Sequence, residues 1–292
     1  MVFYTMPFLP RFLHPPIAAV TALIFFFLLK RERQGVTANL RRILGKRGLA
    51  LQWEVYRVFY SFCDFMVSYC YVPQATHAQL LSMLVDQERG AAKIDQCLAA
   101  GNGLIVWTAH LGNPEFASRL LELHGRPVNV ARLVENNPAE IMLRNLMTNE
   151  RLKIVDLGGG TRASIELLQA LRRNEIVAIQ GDRVYQHHGV NVMFFSEPAA
   201  FPLGPFLLSQ VSGAPVLPGF VVRQSWLRYR VLTGDPILPT LSSVTLAATS
   251  DARDAGQHAG LCQAVRFLEK TLTTYHNQWL NFFNFWPVAS RD

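Results

Sequence analysis

Four short apolar runs recur through the middle of this 292-residue chain: 103–109 (GLIVWTA), 128–133 (VNVARL), 152–157 (LKIVDL) and 176–180 (IVAIQ). Each is too short for a helix, and the first and last are almost continuously apolar, as in strands buried on both faces. Between them lie stretches of helical character. Phe116, Leu120, Leu121 and Leu123 share one face, and helices are expected over 139–149 and 162–172. Strands that alternate with helices need crossover connections, so the central sheet is expected to be largely parallel. Val216–Val222 and Leu227–Val231 read as adjacent strands of a hairpin, which makes the sheet mixed, and Leu261–Tyr275 reads as a last helix. The expected fold class is α/β: a single domain with a largely parallel or mixed central sheet flanked by helices. Hydrophobic residues at 50% and charged residues at 17% exclude a disordered chain.

The N-terminal part has a different texture. Ile17–Leu29 (IAAVTALIFFFLL) is the longest aliphatic run, and the net charge of +7 sits beside it. Up to residue 60 the bases Arg11, Lys30, Arg31, Arg33, Arg41, Arg42, Lys46, Arg47 and Arg57 face only Glu32 and Glu54. Beyond residue 60, bases and acids cancel. Thirteen residues fall short of the roughly 20 that cross a bilayer as a helix. A cleaved signal peptide places its bases before the apolar run, and here they follow it. Bases beyond a greasy helix suit a membrane anchor whose cytoplasmic flank meets anionic headgroups; the alternative is a buried core helix with a solvated basic face. Nucleic acid is not an expected partner, because the neighbours of these bases are aliphatic. The division read from this pattern is residues 1–34 as an N-terminal hydrophobic, membrane-anchoring helix with its basic flank, and 35–292 as the α/β domain. Helices are expected from Gly35 to Tyr71 and again within 75–99. Cys63, Cys70, Cys97 and Cys262 form no C-x-x-C pair and read as reduced thiols.

Ligands of open α/β sheets bind outside the carboxyl ends of the strands. The first run ends in Thr108-Ala-His110-Leu-Gly-Asn-Pro-Glu115, with Asn113 suited to cap a helix and Pro114 to begin it. His110 released into that loop can face a cleft as a general base. Glu115, one turn into the helix, is the candidate to hold its Nδ1–H. The competing reading is a surface histidine beside an acid favoured at a helix N-terminus. A second strand end delivers Gly181-Asp182-Arg183. That pair is either a structural ion pair or a site where a guanidinium meets phosphate or oxyanion charge. A rival site is the Gly158–Gly160 turn, which with Ala163 fits G-x-G-x-x-A between strand and helix and outlines an S-adenosylmethionine- or dinucleotide-binding enzyme. The chain has no G-x-S-x-G, Walker or H-E-x-x-H motif and no cluster of metal ligands; His187-His188 is the nearest approach, and no metal is expected. Gly189–Phe195 and Pro202–Pro205 are groove-forming or ordinary core residues. Trp279 and Trp286 belong either to a membrane-interface belt or to the core.

His110-Leu-Gly-Asn-Pro-Glu115 resembles the H-x4-(D/E) block of the lipid A lauroyl/myristoyl acyltransferase family, which includes mycobacterial phosphatidylinositol mannoside acyltransferases. RQGVTANLRRIL after the hydrophobic helix, Gly-Asp-Arg183, Gly189–Phe195, Pro202–Pro205, Gly213–Pro218 and the closing QWLNFFNFW resemble further blocks of that family, in order along nearly the whole chain. The resemblance implies a membrane-associated O-acyltransferase of the bacterial inner membrane, acting at the cytoplasmic face. Its donor would be acyl carrier protein or acyl-CoA, and its acceptor a hydroxyl of a membrane (glyco)lipid such as a lipid A precursor. His110 would be the base and Glu115 its partner; Asp182, Arg183 and a further base, for which Arg151 is the candidate, would serve substrate or oxyanion. No cofactor is implied beyond the thioester co-substrate. Gly-Asp-Arg and the Asn/Phe-rich C-terminus depart from the lipid A enzymes and leave the acceptor open.

Overall fold

A computed structural model describes residues 9–86, 88–134, 141, 145, 148–184, 189–239 and 258–286. Three helices come first: α1 (His14–Leu28), α2 (Lys30–Leu44) and α3 (Gly48–Ser68). Short α4 (His77–Ser82) and α5 (Glu88–Ala99) lead into β1 (Leu104–Thr108). Helix α6 (Pro114–Leu121), β2 (Val128–Arg132), β3 (Leu152–Asp156), α7 (Thr161–Arg172) and β4 (Ile176–Gln180) follow. The chain continues through β5 (Val190–Phe194), β6 (Glu197–Phe201), α8 (Gly204–Ser212), β7 (Val216–Ser225), β8 (Arg228–Thr233) and α9 (Ala259–Tyr275). The helix expected over 139–149 falls mostly outside the described residues, as do His187 and His188.

The sheet runs β3-β2-β4-β1-β7-β8, parallel except for the antiparallel β7–β8 hairpin. The α/β class and the mixed sheet are as the strand–helix alternation requires. Alternate residues of the strands face opposite layers. Val106, Ala178 and Leu217 meet Ile94, Leu98 and Leu121 of α5 and α6, whereas Trp107, Val177, Ile179 and Val216 meet α7, α8 and α9. Burial on both faces explains why these runs carry no polar alternation. Most of Gly189–Phe195, read as groove or as ordinary loop and core, forms β5, which pairs with β6 in a separate hairpin. Its turn places Phe195 and Ser196 at φ 50° and 63°. Without Gly or Asn there, the usual sequence sign of such a turn is missing.

Helices α1–α3 form a layer of their own, with Ala18, Ala22, Val36, Leu40, Val55, Val58 and Phe59 inside it. Leu280 and Phe282 of the C-terminal segment pack on the same cluster. The basic segment therefore has a structural task besides its charge. A Cβ on Gly35 would stand 2.7 Å from the Phe282 carbonyl oxygen, so only glycine lets the C-terminal backbone lie on α2. Asn39, one turn on, donates to the Phe283 carbonyl at 2.8 Å and accepts from the Phe285 amide at 2.9 Å. The boundary drawn at residue 34 falls inside α2. Trp279 and Trp286 are buried and belong to the core. Cys63, Cys70 and Cys97 are buried and Cys262 is partly buried.

Candidate active site

The loop after β1 carries His110, and three features fix it. Asn113 caps α6 through its side chain, accepting from the Phe116 amide at 2.9 Å, and Pro114 opens the helix. The C-terminal segment lies antiparallel against the loop: the Leu280 amide donates to the His110 carbonyl at 2.7 Å and the Gly112 amide to the Gln278 carbonyl at 3.0 Å. Gly112 has φ 72°, and a Cβ there would overlap the Val221 carbonyl oxygen. Left-handed strain and steric overlap act together, so Gly112→Ala is expected to destabilise the fold by roughly 2–5 kcal/mol. Urea unfolding would measure this; a loss under about 0.5 kcal/mol, the scale of an ordinary surface substitution, would contradict the packing described.

In-register pairing of Thr108 with Gln180 sets His110 and Asp182, each two residues past its strand, side by side. His110 Nδ1 lies 2.7 Å from Asp182 Oδ1. The carboxylate is fully buried and also accepts the His110 amide at 3.1 Å, the Trp279 indole N–H at 2.9 Å and the Asn281 side-chain amide at 3.0 Å. Burial alone would raise its pKa. The His110 charge and hydrogen bond, the Arg183 charge and the Trp279 donor outweigh that and hold the carboxyl well below the usual carboxylate range. An ionised acceptor places the proton on Nδ1 and leaves the Nε2 lone pair free. His110 retains 25% side-chain exposure, on the wall of a cavity.

The carboxylate on Nδ1 is therefore that of Asp182 and not, as the spacing implied, that of Glu115. Glu115 turns to the C-terminal end of α3, where its Oε1 accepts from the hydroxyl of Tyr69, and its buried Oε2 has no hydrogen-bond partner among the described residues. Burial pushes the Glu115 carboxyl above its ordinary value, against the opposing effects of Tyr69, Arg132 and His110. Arg183 is committed elsewhere. It donates to Asn281 Oδ1 at 2.6 Å and the Leu280 carbonyl at 2.9 Å and lies over the Phe283 ring, which fits a clamp on the C-terminal segment. Arg151 immediately precedes β3 and is exposed at the amino side of the sheet, at the opposite strand end from His110. The base that does line the cavity is Arg132, the last residue of β2, which the sequence reading missed. The carboxyl-end rule would have pointed to it.

The cavity measures about 950 Å³, at the upper end of ligand-site sizes. It lies between the sheet and helices α4–α6. Leu81, Leu84, Ile94, Val106, Leu121, Val130, Ile154, Ala178, Leu217 and Val231 make it mostly apolar, with His110, Glu115, Thr108, Gln180, Arg132, Asp95 and His124 among its polar groups. Among the described residues no cluster of His, Cys, Asp and Glu is arranged to hold a metal. The Gly158–Gly160 turn follows the edge strand β3, its Gly158 amide is spent on Asp156, and none of the three glycines lines the cavity. That placement gives no support to a nucleotide site there.

The model of the bacterial lipid A biosynthesis acyltransferase family matches residues 1–286. Two relatives are phosphatidylinositol mannoside acyltransferases of Mycobacterium tuberculosis, from strains CDC 1551 / Oshkosh and ATCC 25618 / H37Rv. Each is 33% identical over 151 residues, covering 50% of this chain and 47% of the relative, so the match spans about half the length of either protein. With the family model extending over nearly the whole chain, this protein belongs to the bacterial lipid A biosynthesis acyltransferase family.

Proposed function

We infer that this protein transfers a long fatty acyl chain from a thioester, carried by acyl carrier protein or coenzyme A, to a hydroxyl of a membrane glycolipid. The observation that carries this reading is the His110–Asp182 pair opening onto a large apolar cavity. His110 Nε2 takes the proton of the acceptor hydroxyl and the oxygen attacks the thioester carbonyl. The C–S bond then breaks, and the thiolate leaves with the proton from His110. An ester and a thiol result, with no covalent enzyme intermediate and no cofactor beyond the thioester. Asp182 fixes the tautomer and stabilises the imidazolium. Arg132 is placed to meet an anionic part of donor or acceptor. The test supplies purified protein and bacterial membranes with labelled palmitoyl-acyl carrier protein or palmitoyl-CoA. Alkali-labile label should enter lipid from one of them, and failure with both donors would refute the reading.

The acceptor is expected at the cytoplasmic face of the inner membrane, where the thioesters are made. Among the described residues no single helix is long and apolar enough to cross a membrane, although α1 and α2, meeting at 97°, pass that test as a bent pair. Helix α1 packs Ala18 and Ala22 inward and exposes Val20, Leu23, Ile24, Phe27 and Leu28, a stripe at helical spacing. Exposed Leu49 and Trp53 at the start of α3 add to the apolar surface of this layer, and Lys30, Arg31, Lys46 and Arg47 are exposed nearby in sequence. This pattern suits a helix lying in the interface. Apolar burial at about 25 cal/mol per Å² survives salt, whereas the charges are screened beyond roughly 8 Å. High salt is therefore expected to leave the protein on membranes and detergent to extract it. Ile24→Asp with Phe27→Asp, at exposed sites, should release it without unfolding it. Sedimentation would decide; full extraction by salt would overturn the hydrophobic attachment.

A further inference from the structure

The apolar cavity is not equally deep along the sheet. On β1, β4 and β7 its lining descends to Val106, Ala178 and Leu217, which are level with one another in the register. On β3 it reaches Leu152, the first residue of that strand, level with Val128 below the Val130–Ile154 pair. The deepest branch thus slants from His110 toward the amino end of β3. At the strand rise of about 3.3 Å per residue and strand spacing near 4.8 Å, its length is roughly 20–25 Å. That is the reach of an extended palmitoyl-length chain.

Two further polar side chains line the cavity. Asp95 of α5 and His124, in the turn after α6, join at 2.6 Å and bridge the two helices that roof the cavity. Their exposures differ: the His124 side chain is 11% exposed and that of Asp95 65%. The pair therefore sits where the apolar lining meets solvent. A methyl terminus arriving there would have to break this hydrogen bond and leave the largely buried His124 ring short of its partner, which is unfavourable. Apolar chain is welcome up to His124 and opposed beyond it.

We propose that the His124–Asp95 bridge across α5 and α6 closes the deep branch and sets the longest acyl chain the enzyme accepts. The proposal rests on the acyl-transfer reading given above. It makes His124 and Asp95 specificity determinants, remote from the proton transfer, so their loss should change which thioester is used and not whether one is used.

The test compares myristoyl, palmitoyl and stearoyl thioesters in kcat/KM for the intact protein, His124→Ala, Asp95→Ala and Ala91→Leu. Ala91 lines the cavity on α5 away from β3 and serves as a control for general crowding. Removing the bridge should raise the stearoyl-to-myristoyl ratio roughly tenfold, since each buried methylene contributes a few-fold. Both bridge variants should move the ratio in the same direction, and urea midpoints measured alongside separate a specificity change from loss of fold. An unchanged ratio in folded, active His124→Ala and Asp95→Ala would overturn the proposal while leaving acyl transfer standing. Should one bridge variant fold poorly, direct binding of stearoyl and myristoyl thioether analogues to the other gives the same ratio; no gain for the longer analogue would also overturn it. Absence of transfer from every thioester by the intact protein would instead sink the acyl-transfer reading, and the analogue-binding ratio would still judge the bridge.

Discussion

His110→Ala is expected to reduce acyl transfer by about 10²–10⁴-fold while leaving the fold in place. The magnitude is that of a positioned general base. An alcohol hydroxyl is a weak nucleophile until its proton has somewhere to go, and the free Nε2 of His110 is the base that the loop presents to the cavity. The fold should survive because the imidazole contributes little packing at 25% exposure. Asp182, its hydrogen-bond partner, would still hold the backbone amide of residue 110, Trp279 and Asn281. Turnover should therefore fall with the urea midpoint shifted by no more than about 1 kcal/mol, the net worth of one hydrogen bond. Glutamine at position 110 should fare no better, since an amide keeps the shape and cannot accept the proton. A variant within tenfold of the intact enzyme on a long-chain thioester would remove His110 from the mechanism.

What the sequence makes legible follows the range of the interactions. The β1 run, the Asn113 cap and Pro114 act within a few residues, and the loop that holds His110 could be placed from them. The partner of His110 could not. Asp182 lies 72 positions away, and the two meet only because β4 inserts between β2 and β1 in the sheet order. Glu115 was attractive because it is near in sequence, yet a residue in the first turn of a capped helix points where the helix points, here to Tyr69. The two arginines show the same limit. Arg151 stands before β3 begins, whereas Arg132 ends β2 and so lies at the carboxyl edge of the sheet, a difference that depends on strand bounds and not on residue type. The blocks around Gly35 and the C-terminal NFFNF segment were each noticed, but their pairing through Asn39 spans 244 positions and leaves no local sign.

The second large effect is expected at Asp182. Its two oxygens receive four donors, all from N–H groups, and no position in that shell suits a donor on residue 182. Asp182→Asn must turn its NH2 to one side or the other. Facing His110, it would donate to Nδ1 and force the proton onto Nε2, the tautomer that cannot act as a base. Facing Trp279 and Asn281, it would set donors against donors in a dry site and loosen the C-terminal segment that backs the loop. In the serine protease triad the equivalent amide lowers turnover about 10⁴-fold through the wrong tautomer, and a loss of 10³–10⁴-fold is expected here. Asp182→Ala should be as inactive and less stable, because the buried donors it abandons each cost about 1–3 kcal/mol. Glu115→Gln supplies the contrast. Its amide oxygen can still accept from Tyr69, so the expected loss is smaller than at Asp182. Measuring kcat and urea midpoints for the three variants separates the roles. If Asp182→Asn keeps turnover within tenfold while Glu115→Gln abolishes it, the sequence-adjacent carboxylate is the true partner of His110 and the pair seen in the fold is structural.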